Sequence, residues 1–194
     1  MHGKVVMGKV MRAIGLMSGT SLDGIDVAYL ETDGETIAKR GPAQTFPYDE
    51  RMRNLLAAAI AAAGNLTSRH ERPVALSEAE HALTARHVDA VAEFLRTSRI
   101  EAASIDVIGF HGQTVLHRPE DGLTIQLGLG ELLAGATRCP VIYDLRAADV
   151  AAGRGVVAIK NPVVTIFTVE AHIKIIIFPV HIGASVNTTF STRK

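Results

Sequence analysis

Several things are scarce in this sequence, and each scarcity excludes something. There is a single cysteine, Cys139, so no internal disulfide can form, and a reducing compartment is the simple reading. There is no net charge, because 20 Lys and Arg balance 20 Asp and Glu. That balance argues against broad electrostatic binding to nucleic acid or to an anionic membrane. No run of about 18 apolar residues occurs. Even "IKIIIFPVHIG" (173–183) is broken by Lys174, Pro179 and His181. The opening "MHGKVVMGKV" carries basic residues but no apolar stretch of signal-peptide length. The expected location is therefore the cytoplasm, with no membrane span. No repeat and no low-complexity linker is present. His70, His81 and His87 lack metal-ligand spacing, and no Ser-His-Asp set can be assigned.

What is there suits a soluble α/β protein. The chain has 194 residues, 47% hydrophobic and 21% charged, enough for one good core or two small ones. Residues 1–10 read as an extension ahead of the fold. "RAIGLMS" (12–18) and "IDVAYLET" (25–32) read as strands joined by a short turn, hence a hairpin. "GPAQTFPYD" (41–49), with two prolines, reads as a loop or edge segment. Residues 49–64 are Ala-rich, open on acids and close on Gly64, which predicts a helix. A second helix is predicted over 76–98, with Ser77 as N-cap and Glu80 completing a capping box. Leu83, His87, Val91 and Phe94 recur at its helical spacing. A buried strand ending in a Gly-bearing loop over 104–114, a strand over 123–128, a short helix over 130–139 and a strand over 140–145 follow. The alternation predicts a layered α/β domain.

Three stretches carry candidate chemistry. "SGTSLDG" (18–24) places small and hydroxyl residues directly after the first strand. Gly19 and Gly24 are able to take positive φ, and the hydroxyls and backbone N–H groups can form an anion-binding concavity. Asp23 and Asp26 flank it. A tight hairpin that merely needs turn residues is the competing explanation. The stretch is not a Walker A loop, since no Lys follows, nor a dinucleotide fingerprint. "GFHGQT" (109–114) delivers His111, Gly112, Gln113 and Thr114 from a strand into a loop, which suits a polyol or a phosphate. A satisfied structural histidine is the alternative. "YDLRAADVAAG" (143–153) offers Asp144, Arg146 and Asp149. Arg146 is suited to bidentate binding of a carboxylate or phosphate, and a plain surface ion pair is the usual explanation of such a D-x-R. Cys139 reads as a small buried hydrophobe.

Taken in order, "IGLMSGTSLDGIDVAYLE", "DVIGFHGQTVLHRP" and "TIQLGLGELLAGATRCPVIYDLRAADVAAG" resemble the anhydro-N-acetylmuramic acid kinases, from about Met11 to Gly153. The resemblance implies an actin-like, sugar-kinase-type ATPase fold (ribonuclease H-like) with two lobes and a cleft. It implies hydrolytic opening of 1,6-anhydro-N-acetylmuramic acid with transfer of the ATP γ-phosphoryl to O6, giving N-acetylmuramic acid 6-phosphate and ADP in cell-wall recycling. ATP and Mg²⁺ are the implied cofactors. Gly19, Thr20, Ser21, Leu22, Asp23, Gly24, Ile25 and Asp26 match the family's nucleotide-binding stretch. His111, Gly112, Gln113, Thr114, Asp144 and Arg146 are expected on the sugar side. The implied partner is a small anhydro-sugar, with neither nucleic acid nor membrane, and a homo-oligomer is left open.

Past Gly153 the expectation changes. Where the family continues with a Gly-Gln-Gly-Ala-Pro-Leu-type segment, this chain has "RGVVAIKNP". Residues 154–194 hold five basic side chains (Arg154, Lys160, Lys174, Arg193, Lys194) against one acid, Glu170. The composition fits a truncated or frame-shifted reading of a longer gene, with a divergent C-terminus as the alternative. The expected domains are an extension (1–10), an N-terminal kinase lobe (11–153) and a divergent tail (154–194), with the second lobe missing. The family's general-base Asp, in an Asp-Thr-Gly-Pro-Gly-Asn motif, has no counterpart, so no catalytic residue is assigned and turnover is expected to be impaired. A non-catalytic phosphate- or sugar-binding lobe, or an actin-like ATPase fragment acting on another small molecule, is the competing function.

Overall fold

In the computed structural model, the described residues are 10–33, 37–144, 146, 147 and 150, together with the backbone of two short strands near the end of the chain. The first strands are β1 (Met11–Ser18), β2 (Gly24–Thr32) and β3 (Ile37–Pro47). Two helices follow, α1 (Glu50–Ala63) and α2 (Val74–Ser98), and then β4 (Val107–Phe110), β5 (Gln113–Arg118) and β6 (Leu123–Leu127). Helix α3 (Gly130–Thr137) and strands β7 (Val141–Ile142), β8 (Thr165–Ile166) and β9 (Ile176–Ile177) complete the order.

Five strands form one mixed sheet in the order β3-β2-β1-β4-β7. The predicted hairpin is present: β1 and β2 are antiparallel, with Ser18 opposite Ile25. Strand β4 lies parallel to β1, and β7 parallel to β4. The parallel pairs need a crossover, and α1 and α2 supply the first one. Hence the C-terminal ends of β1, β4 and β7 share one edge of the sheet. Strands β5 and β6 pair as a separate antiparallel ribbon.

Strand alternation decides the two faces. Ile14, Leu16, Ile25, Val27, Ile108 and Phe110 point to the helices and join Leu56, Leu76, Leu83, Val91 and Phe94 in the main core. The opposite face carries a smaller cluster of Ala13, Leu30, Val107 and Ile142. Burying that many aliphatic and aromatic side chains, at about 1.5–3 kcal/mol each, is the principal term holding helices to sheet.

Of the two readings of 41–49, the edge segment is the one observed: residues 41–47 belong to β3, an edge strand, where prolines 42 and 47 interrupt no central ladder. Other boundaries are corrected. Helix α1 is as predicted, with the Asp49 carboxylate accepting from the Met52 N–H at 2.7 Å. Helix α2 begins two residues earlier than predicted. The Pro73 carbonyl accepts from the N–H groups of Leu76 and Ser77, so Ser77 lies inside the helix and no capping box forms. The stretch 104–114 is not one strand. It divides into a 3₁₀ turn at Ala102–Ser104, β4, and a reversal at His111–Gly112 into β5. Gln113 and Thr114 therefore sit in a strand, not a loop. The last predicted strand shrinks to two residues because Asp144 turns left-handed, with φ 60°. Asp149 lies outside the described residues. Among the described residues no helix is long and apolar enough to cross a membrane.

Candidate functional site

The turn between β1 and β2 leaves the sheet at its carboxyl edge, where open α/β sheets present ligand sites. Its geometry departs from the glycine-based expectation. Neither Gly19 nor Gly24 has positive φ; the left-handed residue is Leu22, at φ 55°. The Leu22 N–H donates to the Gly19 carbonyl at 3.2 Å and closes the turn. Gly24 is small for a different reason. A Cβ there would lie 2.4 Å from the Phe46 carbonyl oxygen and 2.9 Å from Pro47 Cα, so the residue is set by the pairing of β2 with β3. Thr20, Ser21 and Asp23 are exposed, and the Ser21 hydroxyl donates to Asp23 Oδ1 at 2.7 Å. Beyond the turn, strand alternation divides the motif. The Ile25 side chain is buried in the main core, whereas half-buried Asp26 accepts from the Thr45 hydroxyl at 2.6 Å.

Ser18 anchors this turn to the second predicted stretch. Its side chain is 1% exposed, and its hydroxyl donates to Gln113 Oε1 at 2.6 Å. Ser18 has one proton, so the Tyr48 hydroxyl, 2.8 Å away, must be the donor in their contact. Burial pushes the Tyr48 phenol well above its ordinary value, which keeps that proton in place.

His111 follows β4 directly. Its N–H donates to the Leu16 carbonyl at 3.2 Å, which continues the pairing of β4 with β1. Its ring Nδ1 lies 2.8 Å from the Gly112 carbonyl, an acceptor, so Nδ1 carries the proton and Nε2 presents a lone pair. That Nε2 is buried and has no partner among the described residues. Burial, and secondarily the Arg146 charge, lowers the imidazole pKa to about 4, so the ring is neutral at physiological pH. Gly112 takes φ 65°, and a Cβ on it would sit 2.1 Å from the Leu127 carbonyl oxygen. Only glycine fits that reversal.

The third stretch is attached through Gln126. Its amide nitrogen donates to the His111 carbonyl at 2.8 Å, and its oxygen accepts from the Arg146 N–H at 2.9 Å. Asp144 pairs with Arg69, which precedes α2. The three predicted stretches thus meet on one edge, each joined to the next by a buried amide.

Between the second and third stretches and the start of α2 lies a cavity of about 390 Å³, bordered by Arg69, Arg72, Glu80, His111, Tyr143 and Asp144. Glu80 is a buried carboxylate that accepts from Arg72 Nε and from the Gly128 N–H, both at 3.0 Å. One turn later the Thr84 hydroxyl donates to the Glu80 carbonyl at 2.7 Å and accepts from the Leu129 N–H at 3.0 Å. Helix α2 therefore holds the turn that opens α3. Sequence reading missed Tyr48, Arg69, Arg72, Glu80 and Gln126. The basic cluster in "SRHERP" (68–73) was an available signal for the two arginines. Nothing local marked the others.

The sequence profile of the anhydro-N-acetylmuramic acid kinase family matches residues 11–180. The chain belongs to that family. Curated relatives named anhydro-N-acetylmuramic acid kinase agree with it. The protein of Azorhizobium caulinodans is 58% identical over 143 residues, covering 74% of this chain and 38% of the relative. That of Rhodopseudomonas palustris (strain ATCC BAA-98 / CGA009) is 55% identical over 144 residues, covering 74% and 39%. That of Agrobacterium fabrum is 53% identical over 147 residues, covering 76% and 39%. The chain thus spans about two fifths of the length of the curated relatives it matches. The family is one of enzymes, kinases by name, and this chain carries its profile well past Gly153.

Proposed function

We propose that this chain carries the phosphate-binding side of an actin-like sugar kinase acting on 1,6-anhydro-N-acetylmuramic acid with ATP. Residues 11–153 carry the motifs of the lobe, residues 1–10 precede it, and 154–194 form a tail of shifted composition whose first part, to residue 180, still falls within the family profile. The reading places the protein in the cytoplasm. One observation carries it. The Ser18–Gln113 hydrogen bond joins the turn at 19–23 to the segment 111–114, so a phosphoryl donor and a sugar acceptor would meet over one edge of the sheet.

In this reading the exposed turn receives the terminal phosphate. The Thr20 hydroxyl, the Ser21 hydroxyl once it turns from Asp23, and the backbone N–H groups of the bend donate to phosphoryl oxygens as charge develops on them. His111, neutral and with an unprotonated Nε2, accepts from a sugar hydroxyl, Asp144 fixes the ring's orientation, and buried Gln113 holds the segment in place from behind. Water adds at the anomeric carbon, the bridge to O6 opens, and O6 takes the phosphoryl group while ADP leaves. The balanced products are N-acetylmuramic acid 6-phosphate and ADP. The exposed carboxylate of Asp23, beside the turn, suits a Mg²⁺ ion carried by the nucleotide. Bound there, it would neutralise phosphate charge.

Phosphoryl transfer depends on positioning and water exclusion, which need a wall on either side of the cleft. On their own, these 194 residues, which span about two fifths of the relatives' length, are expected to bind ATP–Mg²⁺ and to release little ADP with the anhydro-sugar. Titration calorimetry together with a coupled ADP-release assay tests both halves. Turnover near that of a full-length family member overturns the expected impairment. A folded chain that does not bind ATP–Mg²⁺ overturns the phosphate-site reading.

A further inference from the structure

The turn at 19–23 is held at both ends by a residue that precedes α1. The Tyr48 N–H donates to the Asp23 carbonyl at 2.9 Å, just after the bend. The Tyr48 hydroxyl donates to Ser18 Oγ at 2.8 Å, just before it. Tyr48 is 2% exposed and sits where β3 passes into α1. The backbone contact persists with any residue except proline. The side-chain contact is specific to tyrosine.

That contact also orders the protons. Gln113 Oε1 can only accept, so it takes the single Ser18 proton, and the Ser18 lone pair is filled by Tyr48. The chain runs Tyr48 to Ser18 to Gln113, wholly buried. It links the start of α1, the turn and the first residue of β5. A bend of five residues with exposed hydroxyls has no internal reason to keep one shape, since its own closure rests on the Leu22–Gly19 hydrogen bond and the Ser21–Asp23 contact. The buried hydroxyl pair supplies the fixed reference.

We propose that Tyr48 is a positioning residue for phosphate binding. It sets both ends of the 19–23 turn and holds that turn in register with Gln113. It touches no ligand itself. The inference rests on the phosphate-site reading above, and its test separates the two.

The variants are Y48F, S18A and the double variant, in the full chain. Calorimetry with ATP–Mg²⁺ gives Kd for each, well below its own melting temperature. Loss of a buried hydrogen bond that orients the site is expected to weaken ATP–Mg²⁺ binding by roughly five- to tenfold in Y48F. The double variant is expected to bind no more weakly than the weaker single variant, because both substitutions cut one chain. A purely structural tyrosine predicts a lower melting temperature with the wild-type Kd in the folded protein. That result overturns the inference and leaves the phosphate site standing. Additive losses in the double variant also overturn it. If the folded wild-type chain fails to bind ATP–Mg²⁺, the phosphate-site reading falls and this inference falls with it.

Discussion

Two buried imidazoles should make this fold sensitive to mild acid. His87 is 0% exposed and His111 is 4% exposed. His87 Nδ1 donates to the Leu83 carbonyl at 2.8 Å, its ring lies 4.8 Å from that of Phe110, and its Nε2 has no partner among the described residues. Burial is the main cause that lowers each pKa from 6.5 to about 4; nearby charge adds to it for both rings. The unfolded chain therefore binds a proton on each ring at a pH where the folded chain does not. Stability from these rings is complete above pH 6.5 and is lost as pH falls toward 4. Between pH 7 and pH 5 the loss is about 2 kcal/mol per ring, or roughly 4 kcal/mol for the pair. That is a large share of the roughly 5–15 kcal/mol that holds a domain together. Glu31, Glu71 and Glu93 have lowered pKa values, through hydrogen bonds to Lys39, to the Ser68 N–H and to Arg96 respectively. They act below their ordinary value of 4.5, outside this interval. The chain has no tryptophan, so urea unfolding is best followed by far-UV circular dichroism at pH 7, 6 and 5. H87L should remove close to half of the pH dependence. Stability that stays flat from pH 7 to pH 5, or a His87 ring proton that titrates near 6.5 in the folded protein, would refute the reasoning.

Other substitutions probe packing. Gly24→Ala forces a Cβ to within 2.4 Å of the Phe46 carbonyl, and overpacking against backbone should cost about 2–3 kcal/mol in denaturant unfolding. Gly112→Ala combines left-handed strain with a 2.1 Å contact to the Leu127 carbonyl and should be at least as damaging, at about 3 kcal/mol or more. Glu80→Ala strips Arg72 and the Gly128 N–H of their acceptor. Arg72 is partly exposed, so a loss of about 2–3 kcal/mol is expected, below the 3–5 of a fully buried pair. Burial pushes the Cys139 thiol up to about 11, so a disulfide reagent at pH 8 should label it only at the rate of unfolding; immediate labelling in native buffer would contradict this.

Much of the fold was legible because the strongest signals are local. The period-2 pattern of 25–32 and the Asp49-to-Gly64 frame of α1 each fit within one segment, and both elements lie where expected. What local signals left open or misplaced has one cause. Two prolines leave 41–47 undecided between loop and edge strand when read alone. These residues are a strand because β2 offers an edge on which missing donors do no harm. Ser77 and Glu80 satisfy the spacing of a capping box, yet Pro73 starts the helix earlier and Glu80 is drawn inward to Arg72 and Gly128. In each case a partner distant in sequence outweighed a local preference.

The candidate site divides along the same line. Gly19 to Asp26 reads as one uninterrupted binding stretch, but a strand cannot present consecutive side chains to one ligand. The bend at 19–23 is free to face outward. Ile25, two residues past it, is locked into the core against the helices. Gly24 is small because β3 crowds it. A motif of eight residues thus performs two tasks, displaying a turn and fastening that turn to the sheet, and string similarity cannot tell them apart. The fastening is completed by Tyr48, which is 30 residues from Ser18 in sequence, and by Gln113, 95 residues away. Such separations are bridged only once β3 lies along β2 and β4 lies along β1. The shape of the turn is therefore a property of the assembled sheet, and substitutions in β3 and β4 should disturb it as surely as substitutions in the motif itself.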